Sequence, residues 1–187
     1  MLKILTLDCE TTVGYPKGDP RWEHPELMPL AVLGIETEGW GIRESLWYTP
    51  SEDVAVLMED DGCTHHGTVQ QILNTAEIVL TFNGEHFDFA VLEGAGFNVE
   101  HARSVSYDLM ASFAAVAKHR ISLADFSRAL GCTDKQGSGE NAAQLWQAAN
   151  MLIETPPHPT AFTDALGPTE REAANHAGAK HLYQSVI

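Results

Sequence analysis

Basic side chains are scarce in this sequence. It has 11 lysines and arginines against 26 aspartates and glutamates, which gives a formal net charge of −15 over 187 residues. A protein that holds a long nucleic-acid duplex by its phosphates normally carries a basic face. The composition therefore argues against a duplex-binding surface. Any contact with nucleic acid must be short, or metal ions must invert the local field.

Cysteines and long apolar runs are also few. The three cysteines are widely spread and form no C-x-x-C pair, which argues against a disulfide framework or a structural zinc site. No stretch approaches the roughly 20 apolar residues that span a bilayer, and the apolar part of MLKILTLDCE is too short for a signal peptide. We therefore expect a single domain over residues 1–187, located in the cytoplasm and without a membrane partner.

The order of hydrophobic patterns predicts an α/β fold. The apolar run at 2–8 is typical of a central strand covered on both faces, and 13–29 is rich in proline and predicts a long loop. LAVLGIETE and GIRESLWYT predict an antiparallel hairpin. Further strands are predicted at 76–82 and 104–107, and helices at 51–58, 67–75, 84–95, 108–119, 122–130, 139–150 and 168–186. This order predicts a mixed sheet, an antiparallel hairpin plus parallel strands, flanked by helices and followed by a helical C-terminal half.

Two acids lie side by side on the first strand, in LTLDCETT at 5–12. Residues i and i+2 of a strand share a face, so Asp8 and Glu10 point to the same side and Cys9 points away. Two unpaired carboxylates are costly to bury, whereas a hard cation such as Mg²⁺ or Mn²⁺ binds carboxylate oxygens. The alternative is that the strand has ended and both acids are solvated.

A second acid follows another predicted strand. LTFNGEHFDFAVL, at 80–92, runs from a strand through an Asn-Gly turn into a helix, with Asn83 expected to cap the helix and Asp88 in its first turn. Ligand sites form at the carboxyl ends of strands in open α/β sheets, so Asp88 would join the first two acids if the strands are neighbours. The alternative is an ordinary strand-to-helix junction, in which the helix dipole favours an acid.

These motifs resemble those of a known enzyme family. D-x-E-T-T after the first strand, and F-N-G-x-x-F-D about 75 residues later, are similar to the first two motifs of the DEDD superfamily of 3′–5′ exonucleases. SYDLMASF, ISLADFSRALG and GENAAQLWQAAN resemble later segments of that family. The resemblance implies a ribonuclease H-like fold and hydrolysis of phosphodiester bonds at a single-stranded DNA or RNA 3′ end.

The resemblance also implies a metal site. Two divalent ions, Mg²⁺ or Mn²⁺, would activate a water and stabilise the leaving oxygen. Asp8 would bridge both ions, Glu10 would bind the ion that activates water, and Asp88 would hold the other. A polymerase or another replication or repair protein would be a possible partner.

Four residues would meet the substrate by the same resemblance. Asn83 and Phe87 match positions that shape the nucleotide pocket. The backbone at Thr11 and Thr12 would contact the terminal nucleotide, with aromatic stacking worth about 1–3 kcal/mol per base. Trp22, in the proline-rich loop, could also reach substrate, although packing is the alternative for this tryptophan.

The last predicted helix departs from the family pattern. The family has an Asp there, preceded by a Tyr four residues earlier or a His five residues earlier, but this chain has Gly178 and Ala174 at the positions of Asp and Tyr. His176 and His181 keep an H-x-x-x-x-H spacing and are the candidate replacements, since imidazole binds Mn²⁺ better than Mg²⁺. Surface histidines near a helix C-terminus are the alternative.

Three functions stay open on the sequence alone. The first is a metal-dependent exonuclease with an unusual fourth ligand. The second is a degenerate member of the family that binds a nucleic-acid end or a protein partner without efficient cleavage. The third is an unrelated metal-dependent phosphoesterase.

Asp108 could lend a charge to the site or cap the helix that it begins.

Overall fold

A five-stranded mixed sheet lies at the centre of the protein, in the order β3-β2-β1-β4-β5. The structure, a computed structural model, describes residues 2–15, 18–41, 45–52, 55, 63–131 and 143–148. The strands are β1 (Ile4–Thr11), β2 (Leu30–Glu38), β3 (Ser45–Tyr48), β4 (Ile78–Thr81) and β5 (Ser106–Asp108). Antiparallel pairs join β1 to β2 and β2 to β3, and parallel pairs join β1 to β4 and β4 to β5. The predicted sheet, an antiparallel hairpin plus parallel strands, is confirmed.

Helices follow the strands along the chain. They are α1 (His66–Thr75), α2 (Asp88–Gly94), α3 (Glu100–Ser104), α4 (Leu109–Ala117) and α5 (Leu123–Ala129), and residues 143–148 are also helical. Two short 3₁₀ turns, Pro20–Glu23 and Pro25–Leu27, lie within the predicted proline-rich loop. The sequence patterns did not predict α3. The helix predicted at 168–186 and most of the one at 51–58 lie outside the described residues. Within the described ranges, no helix is both long and apolar enough to cross a membrane.

The first strand is buried on one face rather than on two. Leu5, Leu7 and Cys9 are buried, whereas Thr6 and Asp8 between them are exposed. The prediction of cover on both faces is therefore wrong for β1. The reason is that the main hydrophobic core forms on one side of the sheet, where the buried face of β1 packs together with apolar residues of α1 and α2. The opposite face of β1 carries both acids of the D-x-E motif.

Helix α2 passes very close to the second 3₁₀ turn of the proline-rich loop. A Cβ atom at Gly94 would overlap the backbone carbonyl group of Glu26. Backbone atoms cannot move aside as the end of a flexible side chain can, so glycine is required for this approach. The contact matters for the site because the same loop carries Trp22.

We expect Gly94→Ala to lower the free energy of unfolding by about 1–3 kcal/mol, the usual cost of inserting extra volume into a well-packed region. Urea unfolding followed by circular dichroism measures the change. Gly67→Ala is the matched control, because Gly67 is also helical and a Cβ there meets nothing within 4 Å. The control should keep or raise stability, by up to about 1 kcal/mol. Equal stabilities of the two variants would contradict the close approach.

Candidate active site

A crevice opens at the sheet edge where β1 extends beyond the end of β4, its parallel neighbour. Pairing between β1 and β4 ends with Thr6 and Leu80, whereas pairing between β1 and β2 continues to Thr11, with an irregularity after Glu10. The last residues of β1 therefore extend past the end of β4, from which the chain turns away towards α2. Carboxyl ends of parallel strands are the usual position of ligand sites in α/β sheets.

Asp88 joins the start of α2 to the exposed edge of β1. Its Oδ1 accepts a hydrogen bond from the backbone N–H of Cys9 at 2.8 Å, and the Cys9 thiol lies 3.9 Å from the Asp88 carbonyl oxygen. The Asp88 residue is only 3% exposed. The Asp88 carboxylate, at the first residue of α2, is thus held against β1 at Cys9, between the two acids of the D-x-E motif.

The environment of Asp88 disfavours its ionised form. Burial raises the pKa of this carboxyl to about 7, the negative charge of Asp8 adds to the rise, and the Cys9 N–H opposes it. A cation in the crevice would favour the ionised form. Binding of a cation in the crevice would therefore lead Asp88 to lose its proton near neutral pH.

The neighbouring thiol is not a reactive group. Burial raises the pKa of Cys9 well above its ordinary value, and the charges of Asp88 and Asp8 raise it further. A thiol under these conditions stays protonated and packs as a small apolar side chain. Cys9 therefore contributes its backbone N–H to the site rather than a nucleophile.

The three acids border one cavity of about 470 Å³, within the size range of pockets that take small organic ligands. Its walls come from the end of β1, the proline-rich loop, the turn after β4 and the turn after α4. The lining residues are Asp8, Cys9, Glu10, Thr11, Val13, Gly14, Trp22, Phe82, Asn83, His86, Phe87, Asp88 and Arg120. The structure thus brings Asp8, Glu10 and Asp88 to one cavity, together with Thr11, Asn83 and Phe87.

The donor set at this cavity suits hard divalent cations. Carboxylate oxygens are the ligands that Mg²⁺ and Mn²⁺ prefer, and a buried carboxyl beside a second acid is an unfavourable arrangement that a cation relieves. In the described part of the chain, no three His, Cys, Asp or Glu side chains stand close enough together to hold an ion as they are. Mg²⁺ is usually bound through one or two carboxylates and keeps several waters, so a group of three is not required.

Asn83 adopts a different role from the one predicted. Helix α2 begins at Asp88 with Phe87 as its N-cap, so Asn83 does not cap it. Asn83 instead has a left-handed backbone, with φ of 68°, which asparagine tolerates better than most residues. Its backbone carbonyl oxygen accepts hydrogen bonds from the N–H groups of His86 and Phe87, and the residue lines the cavity. Asn83 thus forms the turn that separates the end of β4 from the start of α2.

Asp108 belongs to the scaffold of this turn. Its carboxylate accepts hydrogen bonds from the N–H groups of Asn83 at 3.0 Å and Ala111 at 3.0 Å, and it caps α4. Asp108 does not line the cavity. Of the two roles considered from the sequence, the structure supports helix capping.

Aromatic rings form another part of the cavity wall. Trp22 is 41% exposed, and its ring centre lies 6.0 Å from that of Phe87 and 6.2 Å from that of Tyr15. The indole N–H donates to the Tyr15 carbonyl oxygen at 3.1 Å, which fixes the ring orientation. Trp22 therefore lines the cavity with a solvent-facing π surface instead of lying in the core.

The two threonines after the acids are placed differently from each other. Thr11 lines the cavity, and its hydroxyl donates to the Val13 carbonyl oxygen at 2.7 Å. Thr12 does not line it: its N–H donates to the Pro29 carbonyl oxygen, and its own carbonyl oxygen accepts from the Gln147 side chain. The Thr12 backbone thus holds the loop rather than facing the cavity.

The remaining predicted site residues cannot be placed. His176, His181 and the glycine at 178 lie outside the described residues, so the fourth ligand stays a prediction. Two of the cavity-lining residues with ionisable side chains, His86 and Arg120, were not predicted from the sequence. His86 lies between β4 and α2, two residues before Asp88, where its position alone could have flagged it, whereas Arg120 lies 32 residues beyond Asp88 and carries no local signal.

Comparisons with known proteins give similarities of fold. No protein-family model matches the chain, and no curated protein matches it. Among solved structures, it is similar to E. coli exonuclease I in complex with a dA16 oligonucleotide, at 15% identity over 84% of this chain and 42% of that one, with a TM-score of 0.47. Apo exonuclease I gives 16% identity over 62% and 31% of the two chains, with a TM-score of 0.39.

A polymerase is similar at the same level. The family B DNA polymerase from the hyperthermophilic archaeon Pyrobaculum calidifontis is 13% identical over 100% of this chain and 24% of its own, with a TM-score of 0.49. The chain thus spans less than half the length of each of these structures. At such identities the similarity concerns the fold alone, and the chemistry of the site depends on its own residues.

Proposed function

We propose that this protein is a metal-dependent nuclease that removes nucleotides from the 3′ end of single-stranded DNA or RNA. The observation that carries the proposal is the meeting of Asp8, Glu10 and Asp88 at one cavity, with Asp88 buried against the strand that carries the other two. The resemblance of the D-x-E-T-T and F-N-G-x-x-F-D motifs to those of DEDD 3′–5′ exonucleases supports the 3′ polarity.

The acids would hold Mg²⁺ or Mn²⁺, two ions by the family resemblance. Bound divalent cations supply an activated water and charge stabilisation in phosphodiester hydrolysis. Asp8 and Glu10 would bind from the strand, and Asp88 would bind from the helix start in its ionised form. The hydrogen bond from the Cys9 N–H would hold the Asp88 carboxyl in place in either charge state.

The aromatic wall would hold the end of the strand. Trp22 and Phe87 present ring surfaces at the cavity, and stacking on such rings tolerates any base. A site of this size takes a terminal nucleotide rather than a duplex, which agrees with the acidic charge of the chain. By the same family resemblance, a polymerase or another replication or repair protein would be a partner.

Polarity and metal dependence are tested on one substrate labelled at either end. The protein is incubated with single-stranded DNA and RNA in Mg²⁺, in Mn²⁺ and in chelator. We expect a 5′-labelled strand to shorten as a ladder and a 3′-labelled strand to release its label at once, with either metal and not with chelator.

The outcomes separate the candidate functions. A 5′-labelled strand that loses its label first would contradict the 3′ polarity. Binding of the strand without shortening, at high protein concentration and with both metals, would contradict turnover and support the degenerate exonuclease. Hydrolysis of small phosphodiesters without shortening of either strand would instead support an unrelated phosphoesterase.

A further inference from the structure

Arg120 stands in the turn between α4 and α5. Helix α4 ends at Ala117, and its C-cap residue Lys118 reverses the chain with a left-handed backbone, φ of 62°. Ser122 caps α5 through the Asp125 N–H. The tight turn between these caps directs Arg120 back towards the sheet edge. Among the cavity-lining residues in the described part of the chain, Arg120 is the one lysine or arginine.

Aromatic packing anchors this turn to the end of β4. The ring centre of Phe126 lies 5.5 Å from the ring centre of Phe82, the first residue after β4, and 6.1 Å from that of Phe113 in α4. His119, next to Arg120, packs edge-on against Phe113 at 5.6 Å. These contacts hold the turn at a defined position relative to the strand that leads into the Asp88 segment.

Asn83 orients the guanidinium group of Arg120. The Arg120 Nη2 donates to the Asn83 Oδ1 at 2.6 Å, while the Asn83 N–H donates to Asp108. The backbone of Asn83 is thus bound to the scaffold, and its side chain holds the arginine. Because the partner is a neutral amide oxygen, the hydrogen bond leaves the positive charge of Arg120 uncancelled.

We propose that Arg120, positioned by Asn83, binds a non-scissile phosphate of the nucleic-acid strand. The inference rests on the proposed function. It adds a phosphate-binding subsite in the part of the cavity wall that the turn after α4 forms. A guanidinium carries five N–H donors in a planar fork that matches phosphate oxygens, and the bond to Asn83 uses one of them. The carboxylates need cations before they accept a phosphate, whereas Arg120 attracts one directly.

The subsite requires a substrate with more than one phosphate. A positive charge held at the cavity wall favours a strand over a single nucleotide ester, because only the strand offers a second phosphate. Arg120 would therefore set the substrate class and the register of the strand end. It acts through binding rather than through the chemical step.

The subsite is measured by binding, so that it does not depend on turnover. Fluorescence anisotropy of a labelled single strand is followed in Ca²⁺, which takes the same oxygen ligands as Mg²⁺, with a gel to verify that the strand stays intact. We expect Arg120→Gln to weaken binding about tenfold and to reduce the slope of log affinity against log salt by about 0.7, the value for one phosphate contact on a single strand.

A substrate variant locates the phosphate. Each of the first three linkages from the 3′ end is replaced in turn by a neutral methylphosphonate. At one linkage the replacement should weaken binding by the wild type about tenfold and by Arg120→Gln very little, because the two changes remove the same contact. A replacement that weakens both proteins equally at every linkage would overturn the proposal.

Two further variants control for net charge and for folding. Arg128→Gln removes the same charge from α5, outside the cavity, and should keep the wild-type salt slope. Asn83→Asp leaves Arg120 intact but gives it a carboxylate partner that cancels its charge, so the slope should fall as in Arg120→Gln. Thermal unfolding confirms that each variant is folded. A salt slope that is unchanged in both Arg120→Gln and Asn83→Asp would contradict the subsite.

Failure of the subsite and failure of the proposed function give different results. A wild type that binds the strand while Arg120→Gln binds it equally well overturns the subsite alone. A wild type that binds no strand in Ca²⁺ overturns both. If the protein also cleaves, Arg120→Gln should raise KM for the strand and leave kcat, and the rate on bis(p-nitrophenyl) phosphate, unchanged.

Discussion

Asp8→Asn is expected to lower the rate of Mn²⁺-dependent shortening of a single strand by more than about 100-fold. Residues that only support a metal ligand cost 10–100-fold when they are changed, and a ligand itself should cost more. The substitution keeps the shape of the side chain and removes its charge, so the strand pairing of β1 should be unaffected. Initial rates on a 5′-labelled strand measure the effect.

The control removes an equal charge from a neighbouring strand. Glu38 is exposed on β2, pairs with Ile4 near the start of β1 and does not line the cavity. Glu38→Gln should therefore keep the wild-type rate within about twofold, because a single screened surface charge has little effect at this distance. Equal rates for Asp8→Asn and the wild type would remove Asp8 from the chemistry and, with it, the main support for a nuclease.

Asp88→Asn is expected to make the metal-free protein more stable at pH 8 and to leave its stability unchanged at pH 4. In the wild type, burial and the charge of Asp8 raise the pKa of Asp88 to about 7, against about 3.9 for an aspartate in an unfolded chain. Between these values the unfolded chain releases the proton and the folded protein keeps it. Stability is therefore lost as pH rises through this window, by about 4 kcal/mol at the upper end.

In Asp88→Asn, the asparagine side chain keeps a carbonyl oxygen for the Cys9 N–H and has no proton to lose. The stability of the variant should therefore not fall through this pH window. Urea unfolding in chelator at pH 4, 6 and 8 compares the two proteins. Adding Mn²⁺ at pH 8 should stabilise the wild type and have little effect on the variant, since a ligand that binds only the folded state raises its stability. Parallel pH profiles of the two proteins would show that the Asp88 carboxyl is not held in its neutral form.

The succession of strands along the chain and the two acidic motifs could be predicted because their signals are local. Apolar runs mark β1 and β2, the turn residues near Gly39 and Gly41 mark the hairpin, and Asp8 and Glu10 share a face by the two-residue period of a strand. Burial of only one face of β1 could not be read from an apolar run that fits either arrangement. That distinction depends on which helices cover the sheet.

The geometry around Asp88 was beyond local signals. Its hydrogen bond to the Cys9 N–H joins residues 79 positions apart and exists because β4 ends before β1 does. Asn83 looked like a helix cap because asparagine often is one, but its left-handed backbone adds a turn, and α2 begins only at Asp88. Aromatic packing of the turn after α4 brings Arg120 to the cavity. Such packing leaves no sequence motif near Asp88 that could predict it.

The central claim is that Asp8, Glu10 and Asp88 together hold divalent metal at the end of β1. Anomalous diffraction from crystals soaked in Mn²⁺ at pH 8 tests it most directly. The account predicts anomalous density in the cavity, with each of the three acids placing a carboxylate oxygen within about 2.5 Å of a peak, and loss of this density in Asp8→Asn crystals. A map with no peak at these acids at saturating Mn²⁺, or a peak coordinated by other residues, would contradict it.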